Sequence, residues 1–205
     1  MFPLEIPLGT TIDALIGRVM PDLHDRLVPD DAPNDLVTVV VRVHGAGSWT
    51  IRIRGREMLV NVGETSRPTL WLVTTARVVD RLLADATGER RVVPERISSS
   101  AVAMTDPRLI KRAALAEGRI ELAVPDFEGE RLAIVLGFGK AAIAPIDAES
   151  PDAIVEAPIE TLRRALDGSL SPEEALSGGT LQIRGNRFLP MQLALAVAPL
   201  YRARK

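Results

Sequence analysis

The hydrophobic pattern along the chain changes its period several times. Apolar residues recur at helical spacing between Ile12 and Leu27, and Pro21 is expected to kink or restart that helix. After a linker at 29–34 the period becomes two, which is typical of half-buried strands. The pattern predicts strands over 37–43, 49–54, 58–62 and 69–73, and then a helix over 75–86.

The second half of the chain repeats this order of elements. It predicts strands over 119–124, 132–136, 140–144 and 152–157 and a helix over 161–166. At a constant offset of 83 residues, and without a gap, Trp49 aligns with Leu132 and Leu83 with Leu166. We infer an internal duplication of a strand-strand-strand-strand-helix (ββββα) unit, the alternative being two α+β segments that look alike by chance. The predicted units are residues 1–118 and 119–205, with another helix beginning at Pro107.

The C-terminal stretch is predicted to contain a helix that is apolar on all sides. A strand over 181–184 ends at Gly185-Asn186, and in the helix predicted over 188–200 Gln192 is almost the only polar side chain. A helix that is apolar all round is buried on every side, or is buried on one side and faces something apolar on the other. Residues 132–136 are also apolar on both strand faces, so we expect helices on one side of them and the C-terminal helix or a ligand on the other.

Composition narrows the classes of protein. The 205 residues are 46% hydrophobic but only 3% aromatic, so the core is expected to be aliphatic. The net charge of −2 disfavours a general nucleic-acid binder, which needs a basic excess. The absence of cysteine fits a reducing compartment, and a cytoplasmic location is predicted. No signal peptide is visible at the N-terminus, and no apolar run is long enough for a transmembrane helix.

Candidate chemistry is sparse. His24 and His44 have no partner residues nearby in sequence of the kind that a metal or catalytic site needs. The segment 137–140 (Gly-Phe-Gly-Lys) lacks the spacing of a phosphate-binding loop and is interpreted as a turn. The serines at 98–100 are not in a nucleophile elbow, and the acidic residues around Pro151 show no cation-binding register. We therefore predict a protein that is not an enzyme and that needs no metal or cofactor.

Three arginines are predicted to share one strand face: Arg42, Arg52 and Arg54. They could hold an anionic head group or contact an acidic membrane surface. The simpler interpretation, which we favour, is a solvated sheet face with cross-strand ion pairs.

The C-terminal half resembles a known family. The residues that carry the likeness are the strand at 152–155, the helix ending at Gly168, the Pro172-x-x-Ala175 segment, Gly179 and the strand ending at Gly185-Asn186, followed by an apolar helix. This order is similar to the sterol carrier protein type-two (sterol-transfer) family over about 119–200, and more weakly over 10–88. The chain is nearly twice the length of one such domain.

The resemblance implies an α+β fold, in which helices cover a five-stranded mixed or antiparallel sheet. It also implies a hydrophobic tunnel for a sterol, fatty acyl chain, phospholipid or isoprenoid quinone. The leading hypothesis is therefore a non-enzymatic lipid-binding or lipid-transfer protein, in which transient contact with a membrane surface is compatible with the sequence. The alternative is an interaction module with a filled core that partners a lipid-metabolising enzyme. The oligomeric state is left open.

Aliphatic residues at inward strand positions and on the closing helix are the candidate lining of such a tunnel. An adaptable methionine suits that role. For each of them a plain core position is the alternative, and replacing Ile134 with Asp separates the two cases, because only a lining residue tolerates the change without unfolding. The candidates are Trp49, Ile51, Ile53, Leu132, Ile134, Leu136, Met191 and Leu195.

Overall fold

The computed structural model of the protein describes residues 4–7, 9–87, 92–93, 105–142, 150–166 and 169–202. Ten strands lie in these ranges: β1 Leu4–Glu5, β2 Val37–His44, β3 Gly47–Arg54, β4 Glu57–Val62, β5 Leu70–Thr75, β6 Val92–Val93, β7 Gly118–Phe127, β8 Glu130–Phe138, β9 Ala153–Glu156 and β10 Gln182–Gly185. The α-helices there are α1 Ile12–Ala14, α2 Met20–Leu27, α3 Ala76–Thr87, α4 Pro107–Ala114, α5 Ile159–Leu166, α6 Pro172–Ser177 and α7 Phe188–Arg202.

Pro21 is accommodated without breaking the first helix. A π-helical turn, Leu15–Val19, joins α1 to α2, and the Met20 amide donates to the carbonyl of Leu15, five residues back. Proline has no amide hydrogen to give to the carbonyl four residues before it, so a wider turn at this point costs little. The expected kink is thus a π-helical turn just ahead of the proline.

Eight strands form one mixed sheet in the order β10-β9-β7-β8-β5-β2-β3-β4, and β1 pairs with β6 in a separate two-stranded sheet. The predicted α+β class with a helix-covered mixed sheet is confirmed. The resemblance implied five strands, and that number was wrong for this chain, because the strands of both halves join in a single sheet.

The two halves share a pairing pattern. β2 pairs antiparallel with β3 and parallel with β5, and β7 pairs antiparallel with β8 and parallel with β9. The two hairpins keep the same register under the 83-residue offset, since Val37 faces Ile53 and Ile120 faces Leu136. The duplication itself stays a prediction, as do the limits of the two units.

The strand predicted over 140–144 was wrong. Gly139–Ala142 is a 3₁₀ turn, and residues 143–144 lie outside the described part. In the first half, β4 pairs with the outer edge of β3. The corresponding edge of β8 is occupied by β5 from the first half, so no edge is left for a fourth strand.

One face of the sheet, which we call the helix face, carries the main apolar clusters. Residues of α1, α2 and α4 pack over β2–β4 around Ile51, and α7 packs over β7 and β9 around Ile120. α3 and α5 cover the far ends of β7 and β8 around Val124. The C-terminal helix therefore lies on the same side as the other helices, and not on the opposite face of 132–136 as one interpretation had it.

The opposite face is more polar, and its apolar cluster is smaller. Ala142 of the 3₁₀ turn packs there with Val40, Trp71, Val73 and Val135, which explains why β8 is apolar on both faces. The rest of this face carries the arginines.

Candidate functional site

Three of the predicted lining residues lie in closed core. Trp49, Ile51 and Ile53 are at most 3% exposed and pack on the helix face beneath Ile16 and Ile110. The indole Nε1–H of Trp49 donates to Asp13 Oδ1 at 2.9 Å, which ties β3 to α1. These side chains are enclosed by protein from the first half.

The β8 candidates differ among themselves. Leu132 is buried against Val78 and Val124. Ile134 and Leu136 are on the same face but only half-buried. Of the six strand candidates, these two are the ones that the structure leaves partly uncovered.

Two residues that sequence reasoning missed complete this uncovered area. Leu72 of β5 lies directly opposite Leu136, and Leu122 of β7 lies directly opposite Ile134. Leu72 is half-buried and Leu122 is 40% exposed. We call Leu72, Leu122, Ile134 and Leu136 the central strip. The signal for Leu122 was present in the period-two pattern of β7, where it falls between Ile120 and Val124.

The central strip crosses the middle of the helix face, where Leu72 packs against the cluster around Ile51 and Ile134 packs against the cluster around Val124. Its register neighbours include Ile120 and Val155, which belong to the cluster under α7. All of these side chains are aliphatic, so the strip can bury an apolar group but offers nothing for proton transfer.

A short network fixes the closing helix α7 to the sheet. The Asn186 amide donates to the Asp152 carbonyl at 2.8 Å, and Asn186 Oδ1 accepts from the Phe188 amide at 3.0 Å, which caps the helix. Asp152 Oδ2 in turn accepts from the Arg119 amide at 2.8 Å. Gly185 has a φ of +78°, and a Cβ there would lie 2.4 Å from the Asp152 carbonyl oxygen. The Gly-Asn pair at 185–186 thus has a structural reason: close backbone approach followed by a helix cap.

The two sides of α7 differ in exposure. Leu189, Ala194, Ala196 and Ala198 are buried against the sheet and its neighbouring helices. Phe188, Met191 and Leu195 recur at helical spacing on the other side and are 75%, 51% and 61% exposed; we call them the outer stripe. Met191 and Leu195 were predicted as lining, and the structure places them in the outer stripe, away from the central strip.

The histidines have ordinary structural surroundings. His24 is 2% exposed, and its ring lies 3.1 Å from both the Thr105 hydroxyl and the Gly55 carbonyl. Burial is the main reason why its pKa is lowered, against a smaller opposing effect of the hydrogen bond to Gly55. His44 is exposed at the end of β2.

The structure describes only some of the other candidates from the sequence. Within the described ranges, no three histidine or acidic side chains gather in a way that could hold a metal ion. The segment 137–140 ends β8 and enters the 3₁₀ turn. The serines at 98–100, Asp147 and Glu149 lie outside the described residues.

The sheet face that carries Arg42, Arg52 and Arg54 also carries ion pairs. Arg42 donates two hydrogen bonds to Glu64, at 2.7 and 2.8 Å, and its guanidinium carbon lies 4.8 Å from the centre of the Trp71 ring. Farther along the same face, Glu156 accepts from Arg184 at 2.9 Å. These contacts agree with the interpretation of a solvated face with cross-strand pairs.

Comparison with known proteins agrees with the resemblance. The sequence model of the SCP-2 sterol transfer family matches residues 103–198, which confirms the likeness over that segment. A search of curated proteins gave no match. No helix among the residues that the structure describes is long and apolar enough to cross a membrane.

Solved structures of sterol carrier proteins were also found. A crystal structure of sterol carrier protein 2 is 23% identical, with 44% of this chain and 80% of that chain covered and a TM-score of 0.35. A conserved hypothetical protein of Thermus thermophilus is 25% identical, with 45% and 74% covered and a TM-score of 0.34. Sterol Carrier Protein 2 Like 2 from Aedes aegypti is 15% identical, with 58% and 91% covered and a TM-score of 0.33. The likeness to the family rests on the sequence match over residues 103–198.

Proposed function

We propose that the protein binds and carries a hydrophobic lipid, without catalysis, on the helix face of its sheet. The observation that carries the proposal is the central strip: four adjacent aliphatic side chains that remain half-buried or exposed in the middle of the helix face. The match of residues 103–198 to a sterol transfer family supports the same function.

The physical mechanism is sequestration from water. Burying apolar surface stabilises a complex by about 25 cal/mol per Å², so an acyl chain or ring system that covers the strip gains affinity from area alone. The strip carries no charged side chain, so selectivity for a particular lipid would have to come from shape. A sterol, a fatty acyl chain, a phospholipid and an isoprenoid quinone all fit this chemistry, and a cytoplasmic carrier is the corresponding role.

Bound lipid can be tested directly. We expect native mass spectrometry of the freshly purified full chain to show a discrete added mass, and solvent extraction to identify it as a lipid. A bare polypeptide mass, combined with no uptake of fluorescent fatty acid or sterol, would contradict the proposal. That result would favour the alternative of an interaction module with a filled core.

A pair of variants locates the site. Ile134→Trp places a bulky ring in the central strip and is expected to lower lipid uptake by tenfold or more, since the ring occupies the space that the ligand would fill. Leu59→Trp is the matched control, because Leu59 is 50% exposed on β4 and points to the opposite face of the sheet. Equal uptake by the two variants, both folded by circular dichroism, would place the ligand elsewhere.

Ile134→Asp addresses the choice between lining and core that the sequence left open. Because Ile134 is half-buried, the variant is expected to fold and to lose the ligand. Loss of the folded state instead would show that Ile134 serves as plain core.

A further inference from the structure

The outer stripe of α7 is a large apolar surface without a covering element among the residues that the structure describes. Phe188, Met191 and Leu195 lie along one side of a 15-residue helix and are each more than half exposed. Leu115, 80% exposed, follows α4, and its neighbour Ala116 packs in the cluster that includes Leu189 at the start of α7. Contiguous exposed side chains of this size mark a surface that meets an apolar environment.

The charged residues in and next to this helix in the sequence have one sign. From residue 184 to residue 205 the sequence contains five basic residues and no acidic one, although the whole chain carries a net charge of −2. Arg184 pairs with Glu156 on the opposite face of the sheet, so the cations that flank the apolar segment in sequence are Arg187 before it and Arg202, Arg204 and Lys205 at or after its end. Cations at both ends of an apolar helix suit an interface that is apolar in its interior and anionic at its surface.

We propose that the outer stripe docks on the surface of an anionic lipid bilayer, with α7 lying in the plane of the interface. A helix of 15 residues is about 22 Å long, shorter than the hydrocarbon core, so it lies on the membrane and does not cross it. Phe188, Met191 and Leu195 enter the acyl boundary, and the exposed Arg187 contacts lipid phosphates. This inference needs no ligand on the central strip and is independent of the proposed carrier function.

A bilayer fits the stripe better than a second copy of the chain. Two α7 helices packed antiparallel about a two-fold axis would bring the basic start of one helix close to the basic end of the other. Like charges across such a contact oppose association. An anionic membrane supplies the opposite charge and the apolar layer together.

Vesicle flotation with the full chain tests the proposal. We expect the protein to float with phosphatidylcholine vesicles that contain phosphatidylglycerol, and to bind pure phosphatidylcholine vesicles at least tenfold more weakly. Phe188→Gln and Leu195→Gln should each lower the partition coefficient about tenfold, as expected for withdrawing one large apolar side chain from the interface. Arg187→Glu should weaken binding to the anionic vesicles alone, by fivefold or more, and higher salt should have the same effect.

Val62→Gln is the control for the stripe variants. Val62 is 83% exposed on β4, distant from α7 in the order of the sheet, and its replacement should leave vesicle binding unchanged. Phe188→Trp allows a second measurement, because the substitution keeps a large apolar side chain at this position and makes it fluorescent. Its emission should shift to the blue on binding and be quenched by brominated lipids, against the background of buried Trp49 and Trp71.

Several results would overturn the proposal. They are a failure to float with anionic vesicles, flotation that the stripe variants do not change, and Phe188→Trp emission that vesicles leave unshifted. A dimer in sizing experiments that Leu195→Gln disrupts, together with no vesicle binding, would assign the stripe to contact between copies.

Discussion

Replacing Gly185 with alanine probes the close backbone approach that sets the position of α7. Gly185 ends β10 with a φ of +78°, a left-handed conformation that side chains with a Cβ rarely adopt. A Cβ at this position would lie 2.4 Å from the carbonyl oxygen of Asp152 and 3.3 Å from its carbonyl carbon. Both atoms belong to the backbone, so no change of rotamer relieves the contact.

The magnitude follows from two contributions. The left-handed conformation costs a residue with a Cβ about 1–2 kcal/mol. Moving β10 away from Asp152 also stretches the hydrogen bond from the Asn186 amide to the Asp152 carbonyl, a bond worth about 0.5–1.5 kcal/mol. We expect Gly185→Ala to lower the free energy of unfolding by about 2–3 kcal/mol.

Urea denaturation followed by circular dichroism measures this change, and Gly129 provides the matched control. Gly129 has a φ of +82°, nearly the same conformation, but a Cβ there would meet nothing within 4 Å. Gly129→Ala should therefore cost only the conformational strain. Equal losses for the two variants, at unchanged m-value, would refute the argument that the approach to Asp152 makes glycine necessary at 185.

Three further predictions concern stability. Because burial lowers the pKa of His24 in the folded protein, His24 of the unfolded chain is protonated first as the pH falls below about 6.5. The free energy of unfolding should therefore decrease from that pH down to the folded-state pKa, and His24→Gln should remove this pH dependence in denaturation curves. Ile53→Ala should cost about 2–5 kcal/mol in the same urea assay because Ile53 is 2% exposed, and a loss below about 1 kcal/mol would mean that its site collapses on truncation. The hydrogen bonds from Arg42 lower the pKa of Glu64, so this pair should stabilise the fold above the ordinary glutamate pKa and lose that effect as the pH falls through the lowered value. Glu64→Gln should therefore make the free energy of unfolding less dependent on pH in the acid range.

Much of the architecture could be predicted from local patterns. The period-two alternation placed β2 and β3 within one or two residues, since a half-buried strand needs an apolar side chain at every second position. The strand predicted over 140–144 was wrong, although the segment is as apolar as the correctly predicted strands. A further strand can pair here only if an edge of β8 is free. That edge is taken by β5, which is distant in sequence, and no local pattern carries this information.

The candidate site shows the same limit. Alternation correctly placed Ile51 and Ile134 on one face of the sheet, but it could not tell which of them the helices cover. Ile51 is 2% exposed beneath the N-terminal helices, while Ile134 is only half-buried beside the cluster around Val124. Coverage is a property of packing between distant elements. The same limit applies to α7. The sequence showed that the helix is apolar on all sides, but which side faces the sheet depends on packing, so the exposed position of Met191 could not be predicted.

The position of the central strip follows from the joining of the two halves. Leu72 comes from β5 of the first half and Leu136 from β8 of the second, and they face each other across the one strand pair that connects the halves within the eight-stranded sheet. α1, α2 and α4 pack over β2–β4, α7 packs over β7 and β9, and α3 with α5 covers only the far ends of β7 and β8, so the middle of the sheet stays partly uncovered. Three of the four strip residues, Leu122, Ile134 and Leu136, belong to the β7–β8 hairpin, and the first half contributes Leu72 across the β5–β8 pair. The complete strip therefore needs both halves, because the β7–β8 hairpin alone lacks the side chain that lies opposite Leu136.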